Sequence, residues 1–326
     1  MAYQTNSYSS ISNLMTSLST FAVANGWTED HVEANQLFLT KSTSSVAFCW
    51  ATSSPTVVGI FQHKTFISAA EDPGSHTDDD GQGSFSTTDS TIDNGRHVPV
   101  EDTGGTYWFF EQDTYIHIVV EQGTGTQKFA HFGFGILNKE GTWTGGEYAY
   151  GWYKTGTAAT SDGAITTSNT FLLDGLATGT TVDDQCATMR MESMPNQVAS
   201  GKWGLVWGGG TVTKTDTAGI ARANVCGGFR GGPIARNFGR FSGSAIDGLI
   251  PMYPIGTWYD DPSNDRWYYL GNQPDVRGVS MASFSGGQEV EVGSDTWVMF
   301  PTRYKSSVQA GGCTRNSGIA YKKDVT

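Results

Sequence analysis

The chain has 326 residues, a formal net charge of −12 and only 16% charged side chains, below the roughly 25% of an average soluble domain. That balance excludes the basic field a nucleic-acid binder needs, and the 37% apolar content excludes wholesale disorder. With 42 glycines among abundant Ser and Thr, the composition predicts short strands joined by many turns.

The first predicted element is a helix. Ile11, Leu14, Met15, Leu18, Phe21 and Ala22 recur at the spacing of one helical face. Ser9 or Ser10 can cap its start, and Asn25-Gly26 supplies a left-handed stop. Its other face is Ser, Thr and Asn rather than charged, which points to a covered helix. Strands are predicted over 36–41, 46–51 and 57–62. Residues 68–106 are polar and rich in turn residues, and are read as loops.

The stretch YWFFEQDTYIHIVVEQ, from Tyr107 to Gln122, predicts a hairpin turning at Gln112-Asp113. In its second strand Tyr115, His117 and Val119 share one face, and Ile116, Ile118 and Val120 the other. Both faces are largely apolar, so the strand is expected to be covered on both sides. In KFAHFGFGIL the same alternation puts Phe129, His131, Gly133 and Gly135 opposite Ala130, Phe132, Phe134 and Ile136.

Residues 138–170, rich in Gly, Thr, Trp and Tyr, are read as an exposed aromatic loop. The segment 171–230 has few periodic signals, and 231–255 is irregular and punctuated by proline. The chain closes with a hairpin over 288–305 and a last strand from Gly318. Neither a tandem repeat nor a clear interdomain linker is visible. The expected organisation is an N-terminal helix with strands over 1–64, a polar loop region over 65–106 and a central hairpin with an aromatic loop over 107–155. A variable, insertion-like region over 156–230 follows, and 231–326 closes the main β domain. The expected fold is mainly β: antiparallel, sandwich- or barrel-like sheets with one short helix and long Gly/Thr/aromatic-rich loops.

Chemical motifs are weak. Read from Asp78, DDDGQGSFSTTD puts Asp80 and Gly83 at calcium-loop positions, but Gln82 and Asp89 break the pattern and no helices are predicted to flank it. An acidic solvated loop is the better reading. His117 and His131, on adjacent predicted strands, read as a hydrogen-bonded core or interface pair rather than metal ligands. Nucleophile elbows, phosphate-cradling loops and zinc spacings do not occur in the sequence. Asp183-Asp184 and Asp260-Asp261 read as turn and surface acids, and Arg222, Arg230, Arg236 and Arg240 as a weak basic cluster. Cys49, Cys186, Cys226 and Cys313 are scattered, and the start MAYQTNSYSS has no basic n-region. The expectation is a chain made in a cytoplasm with reduced thiols, inserting no membrane span, binding no metal or cofactor and catalysing no reaction.

Aromatic side chains are the remaining binding signal. Trp143, Tyr148, Tyr150, Trp152 and Tyr153 form one cluster, and Trp258, Tyr259 and Trp267 begin another that Tyr268 and Tyr269 complete. Such residues stack on sugars or fill a partner's pockets when presented on loops, and fill a β core otherwise. The glycines around Trp143 to Tyr153 favour an interface.

Several segments in order carry a resemblance. A Tyr/Thr-rich start leads into a helix ending at FAVANGW. YWFFEQDTYIHIVVEQGTGTQKFAHFGFGIL, GGPIARNFGRFSGSAIDGLIPMYPI and QPDVRGVSMASFSGGQEVEVGSDTWVMFPTRYK follow, and SGIAYKKD closes the series. This layout resembles a group of tailed-bacteriophage virion structural proteins that includes tail and baseplate components. The resemblance is weakest over 65–105 and 150–230. It implies a structural virion part, present in many copies in the tail, tail tip or baseplate and assembled in the bacterial host cytoplasm. Its partners would be copies of itself and other virion proteins. A neck, collar or capsid-surface position is the alternative within that class. An adsorption protein binding host polysaccharide or receptor is the competing class, and a glycan-cleaving depolymerase the third.

Overall fold

A computed structural model describes residues 2–33, 35–42, 44–51, 57–63, 96–100, 102–151, 185–192, 202–207, 225–227, 252–261, 266–281, 283–301 and 317–323. The chain opens with strand β1 (Ala2–Tyr8), which the sequence reading missed, and helix α1 (Ile11–Ala24). Ser10 is the N-cap, its hydroxyl accepting from the Asn13 N–H at 3.1 Å, and Gly26 takes the left-handed φ of 84° that stops the helix. Ile11, Leu14, Met15, Leu18, Phe21 and Ala22 are buried as their spacing requires. The polar face is not covered, contrary to expectation. Thr16 and Thr20 are exposed, and each donates its hydroxyl to the carbonyl four residues back at 2.9 Å. The helix satisfies these groups itself, so no covering layer is needed.

Strands β2 (Thr28–Glu33), β3 (Gln36–Lys41), β4 (Ser44–Ala51), β5 (Val57–His63) and β6 (Arg96–Pro99) form an antiparallel sheet in that order. The hairpin is β7 (Gly105–Gln112) and β8 (Tyr115–Gln122), paired from Gly105↔Gln122 to Gln112↔Tyr115. Its two-residue turn is therefore Asp113-Thr114, one residue later than the sequence reading placed it.

After β9 (Phe129–Ile136) and the short β10 (Asn138–Lys139) comes β11 (Thr144–Tyr150), where an exposed loop was expected. β12 (Gln185–Glu192), β13 (Lys202–Trp207) and β14 (Val225–Gly227) follow. β15 (Tyr253–Asp261), β16 (Arg266–Ser280), β17 (Gln288–Val292), β18 (Asp295–Pro301) and β19 (Ser317–Lys323) complete the described strands. β15 and β16 were not anticipated either.

The larger sheet runs β1-β7-β8-β9-β11-β12-β13-β14-β15-β16-β19-β18-β17, with β10 beside β16. Among the described strands every pairing is antiparallel except β13 with β14. The sheet ends in β1 and β17, so it is not a closed barrel; it folds back as a sandwich. The face-to-face contact is aromatic. Phe110 of β7 stacks on Tyr321 of β19 at 5.0 Å, and Trp108 meets Phe300 of β18 edge-on, also at 5.0 Å.

The hairpin therefore lies in a middle layer. One face of β7, β8 and β9 (Phe109, Ile116, Ile118, Val120, Phe132, Phe134) shares a core with α1 and the smaller sheet through Leu18, Phe21, Leu39 and Phe48. The other face (Phe110, Val119, Phe129) shares a second core with Ile255, Leu270, Val298, Phe300 and Tyr321. Val279, Met299, Trp297 and Ala320 build a third cluster on the far side of the outer strands. All eight residues of β8 are buried, which explains why neither of its faces is polar.

Candidate functional site

The middle and outer layers are joined by polar groups deep in the second core. His117 on β8 and His131 on β9 sit on adjacent strands of known register, with His117 opposite Gly133 and Val119 opposite His131. Both histidines are buried and hydrogen-bonded, but each ring bonds a tyrosine rather than the other histidine. His117 Nδ1 lies 2.8 Å from the Tyr150 hydroxyl, and His131 Nδ1 lies 3.0 Å from the Tyr321 hydroxyl. The outer nitrogens are anchored too, His117 Nε2 at 3.1 Å from the Pro274 carbonyl and His131 Nε2 at 3.0 Å from the Pro301 carbonyl.

All four side chains are fully buried. Burial lowers His117 from 6.5 to about 3 and His131 from 6.5 to about 4, against the opposite pull of the two proline carbonyls. Burial likewise raises the Tyr150 and Tyr321 hydroxyls well above their ordinary range. Both imidazoles are therefore neutral at pH 7. A carbonyl only accepts, so Nε2 carries the hydrogen in each ring and each Nδ1 is an acceptor.

The sequence makes room for these contacts by placing glycine on the same face of β9. A Cβ on Gly133 would lie 2.9 Å from the Tyr150 hydroxyl and 2.5 Å from the Ile116 carbonyl oxygen. Tyr150 reaches His117 only because that space is empty. Beside it, the Tyr115 ring stacks on His117 at 4.5 Å and its hydroxyl donates to Asp275 Oδ2 at 2.8 Å. Asp275 holds a left-handed φ of 51°. It directly follows Pro274, so one bend presents both a carbonyl and a carboxylate to the β8 side chains.

A second polar node lies between the smaller sheet and the hairpin. Glu111, buried on β7, accepts from Lys41 Nζ at 2.8 Å and from the Trp27 indole N–H at 3.2 Å. Lys41 also donates to the Asn25 carbonyl at 2.8 Å, tying the helix end to the same carboxylate.

The aromatic candidates divide. Trp143, Tyr148 and Tyr150 are buried in the second core, so this part of the cluster is not the exposed loop its glycines suggested. Gly145 and Gly146 belong to a bulged strand with φ of 109° and 98°, and the bulge lets the aromatics face inward. Trp152 and Tyr153 lie outside the described residues. Trp258, Tyr259 and Trp267 fall on paired strands: Trp258 opposes Tyr269, Tyr259 opposes Tyr268 and Trp267 opposes Asp260. Tyr269 is partly exposed, its hydroxyl donating to Asn272 Oδ1 at 3.2 Å. The acidic stretch from Asp78 and the four-arginine cluster also lie outside the described residues. Cys49 is buried and in no disulfide among the described residues.

The sequence reading missed Tyr321 as the second bridge, because its partner His131 is 190 residues away. It also missed the sheet's end, where Lys323 Nζ lies 4.6 Å from the Tyr3 ring and 2.7 Å from Glu289 Oε1. Tyr3 is pushed up to about 12, by burial first and by Glu289 second.

Among the described residues these features define a layered, mainly antiparallel β protein with one short helix, whose central hairpin is covered on both faces. Among the described residues no three His, Cys, Asp or Glu side chains group as metal ligands, and no helix is long and apolar enough to cross a membrane. No protein-family model matches the chain, and no curated protein matches it.

Proposed function

We propose that the chain is a structural component of a tailed-phage virion, assembling in multiple copies in the tail, tail tip or baseplate. Beyond the ordered motif resemblance, the observation that carries this reading is the end of the larger sheet. Among the described residues β1 pairs only with β7 and forms one edge. Its sequence, AYQTNSY, has no charge and no proline, and Thr5, Asn6 and Ser7 are exposed. Soluble proteins usually guard such edges with charge, proline or a bulge. Such a strand, with no charge of its own, on a sheet braced from both sides suits strand pairing with a second subunit. The opposite edge, β17, carries Glu289 and Glu291 and is guarded in the usual way.

The test is averaged electron microscopy of the purified chain together with sedimentation analysis. Rings or particles that Thr5→Lys disperses into folded monomers support the reading. A wild-type chain that stays monomeric at high concentration and incorporates into no particle overturns it.

A further inference from the structure

We propose that the edge of β1 and the exposed face of α1 form one interaction surface, and that its occupant is the same surface of a second copy of this chain, related by a two-fold axis. This names the partner for strand pairing at β1, and so rests on the virion role. The surface is marked by its chemistry. Although 16% of the chain is charged, the first charged side chain is Glu29, beyond the ends of both β1 and α1. Depletion of charge is what separates the buried centre of an interface from ordinary surface. Thr5, Asn6 and Ser7 are exposed on β1, and Asn13, Thr16 and Thr20 on α1.

Covering this surface costs little. Thr16 and Thr20 donate their hydroxyls to carbonyls of their own helix at 2.9 Å, as Ser17 does, so these donors need no water. Val23, further along the same helical face, is 49% exposed and supplies an apolar contact. The helix packs on β1 and β7 and so lies beside the edge strand. Antiparallel pairing of β1 with β1 of a second copy, centred on Thr5, sets Thr5 opposite Thr5, Gln4 opposite Asn6 and Tyr3 opposite Ser7. No like charges face each other in that register. The axis of such a pair is perpendicular to the sheet, so both helices lie on the same face, one on either side of the seam. A seven-residue strand pair is small beside the roughly 1,200 Å² of a specific interface, and the two helices enlarge it.

The other end of the sheet does not offer such a contact. Self-pairing of β17 about Val290 would face Glu289 of each copy with Glu291 of the other. Joining β1 of one copy to β17 of the next does not propagate either. Lys323 Nζ lies 4.6 Å from the Tyr3 ring and 2.7 Å from Glu289 Oε1, so both ends of the sheet reach one side of the molecule. A copy that engages there turns both of its own ends toward its neighbour, and the contact closes on two copies. The unit that enters a larger assembly is then a dimer.

Thr5→Cys tests the pairing under mild oxidation of the full chain. Opposed residues of an antiparallel pair hold their Cβ atoms roughly 4.5–5.5 Å apart, within reach of a disulfide after a small adjustment. The wild-type chain controls for its native cysteines, and Glu289→Cys for the other end of the sheet. Thr5→Cys is expected to give a disulfide-linked dimer, about tenfold more than either control. Thr20→Lys puts a charge on the helix face and leaves β1 untouched. It is expected to weaken dimerisation by about tenfold in sedimentation, with an unchanged circular dichroism spectrum. A chain that assembles or enters particles but gives no Thr5→Cys dimer, or whose dimer withstands Thr20→Lys, overturns the inference and leaves the virion role standing. A chain that neither self-associates nor enters particles overturns both.

Discussion

Tyr150 places its hydroxyl 2.8 Å from Nδ1 of His117, and its ring occupies the space that Gly133 leaves open on the neighbouring strand. The contact joins β11 to β8 across β9, and through Pro274 it reaches the outer layer. A residue that the sequence offers as a surface aromatic thus acts as an internal tie, and the expected behaviour of the molecule follows from that placement.

Acid should weaken the fold before any carboxylate is involved. The folded pKa values of His117 and His131 are depressed to about 3 and about 4, while the unfolded chain binds protons near 6.5. Below 6.5 the unfolded state therefore holds more protons, and stability rises with pH across the window from about 4 to 6.5. At pH 5 each neutral, buried histidine costs about 2 kcal/mol relative to pH 7, from ~1.4 kcal/mol per pH unit. Urea unfolding at pH 7 and pH 5 should show the difference. His131→Phe should flatten the slope, and equal stability at both values would count against the assignment.

Gly133→Ala should disturb the same tie from the opposite side. The new methyl meets a backbone carbonyl as well as the Tyr150 hydroxyl, so the backbone has to move. The cost is expected to be about 2–3 kcal/mol, at the upper end for overpacking a well-filled core. Thermal melting measures the loss. Adding Tyr150→Phe should recover only part of it, because the carbonyl clash remains.

Removing Lys41 should be worse than removing both members of its pair. Lys41→Met leaves Glu111 buried beside the Trp27 indole N–H without its cation, and a stranded carboxylate of this kind costs roughly 3 kcal/mol. Lys41→Met combined with Glu111→Leu should regain at least half of that in a double-mutant cycle. Additive losses would show that the ion pair contributes nothing beyond its separate residues.

Ser10→Ala tests the helix cap, which the sequence narrowed to Ser9 or Ser10. Losing the hydroxyl that accepts from the Asn13 N–H should cost about 1 kcal/mol, whereas Ser10→Asp should be close to neutral. Chemical denaturation of the two variants separates capping from general tolerance at the site.

Local signals were legible wherever burial has a period. Helix α1, strand β3 and strand β17 stand where periodicity and turn residues put them. The two-faced alternation of Ile116, Ile118 and Val120 against Tyr115, His117 and Val119 correctly indicated a strand covered on both sides. The reading failed at β11, where Gly145 and Gly146 suggested a loop. In a bulged strand glycine serves the backbone geometry, and the aromatics beside it are free to point inward. It failed again at β1, whose polar residues have no alternating apolar pattern because it is an edge.

By itself the sequence determined the fold class, the short N-terminal helix and the hairpin at the centre, because backbone propensity and the period of burial are written in neighbouring residues. It also put His117 and His131 on adjacent strands. Only the tertiary structure decided what they touch. Tyr150 lies 33 residues from His117, and Tyr321 lies 190 from His131. The first contact depends on the order of strands within the sheet and the second on which sheet faces meet, and neither is set by any local run of residues.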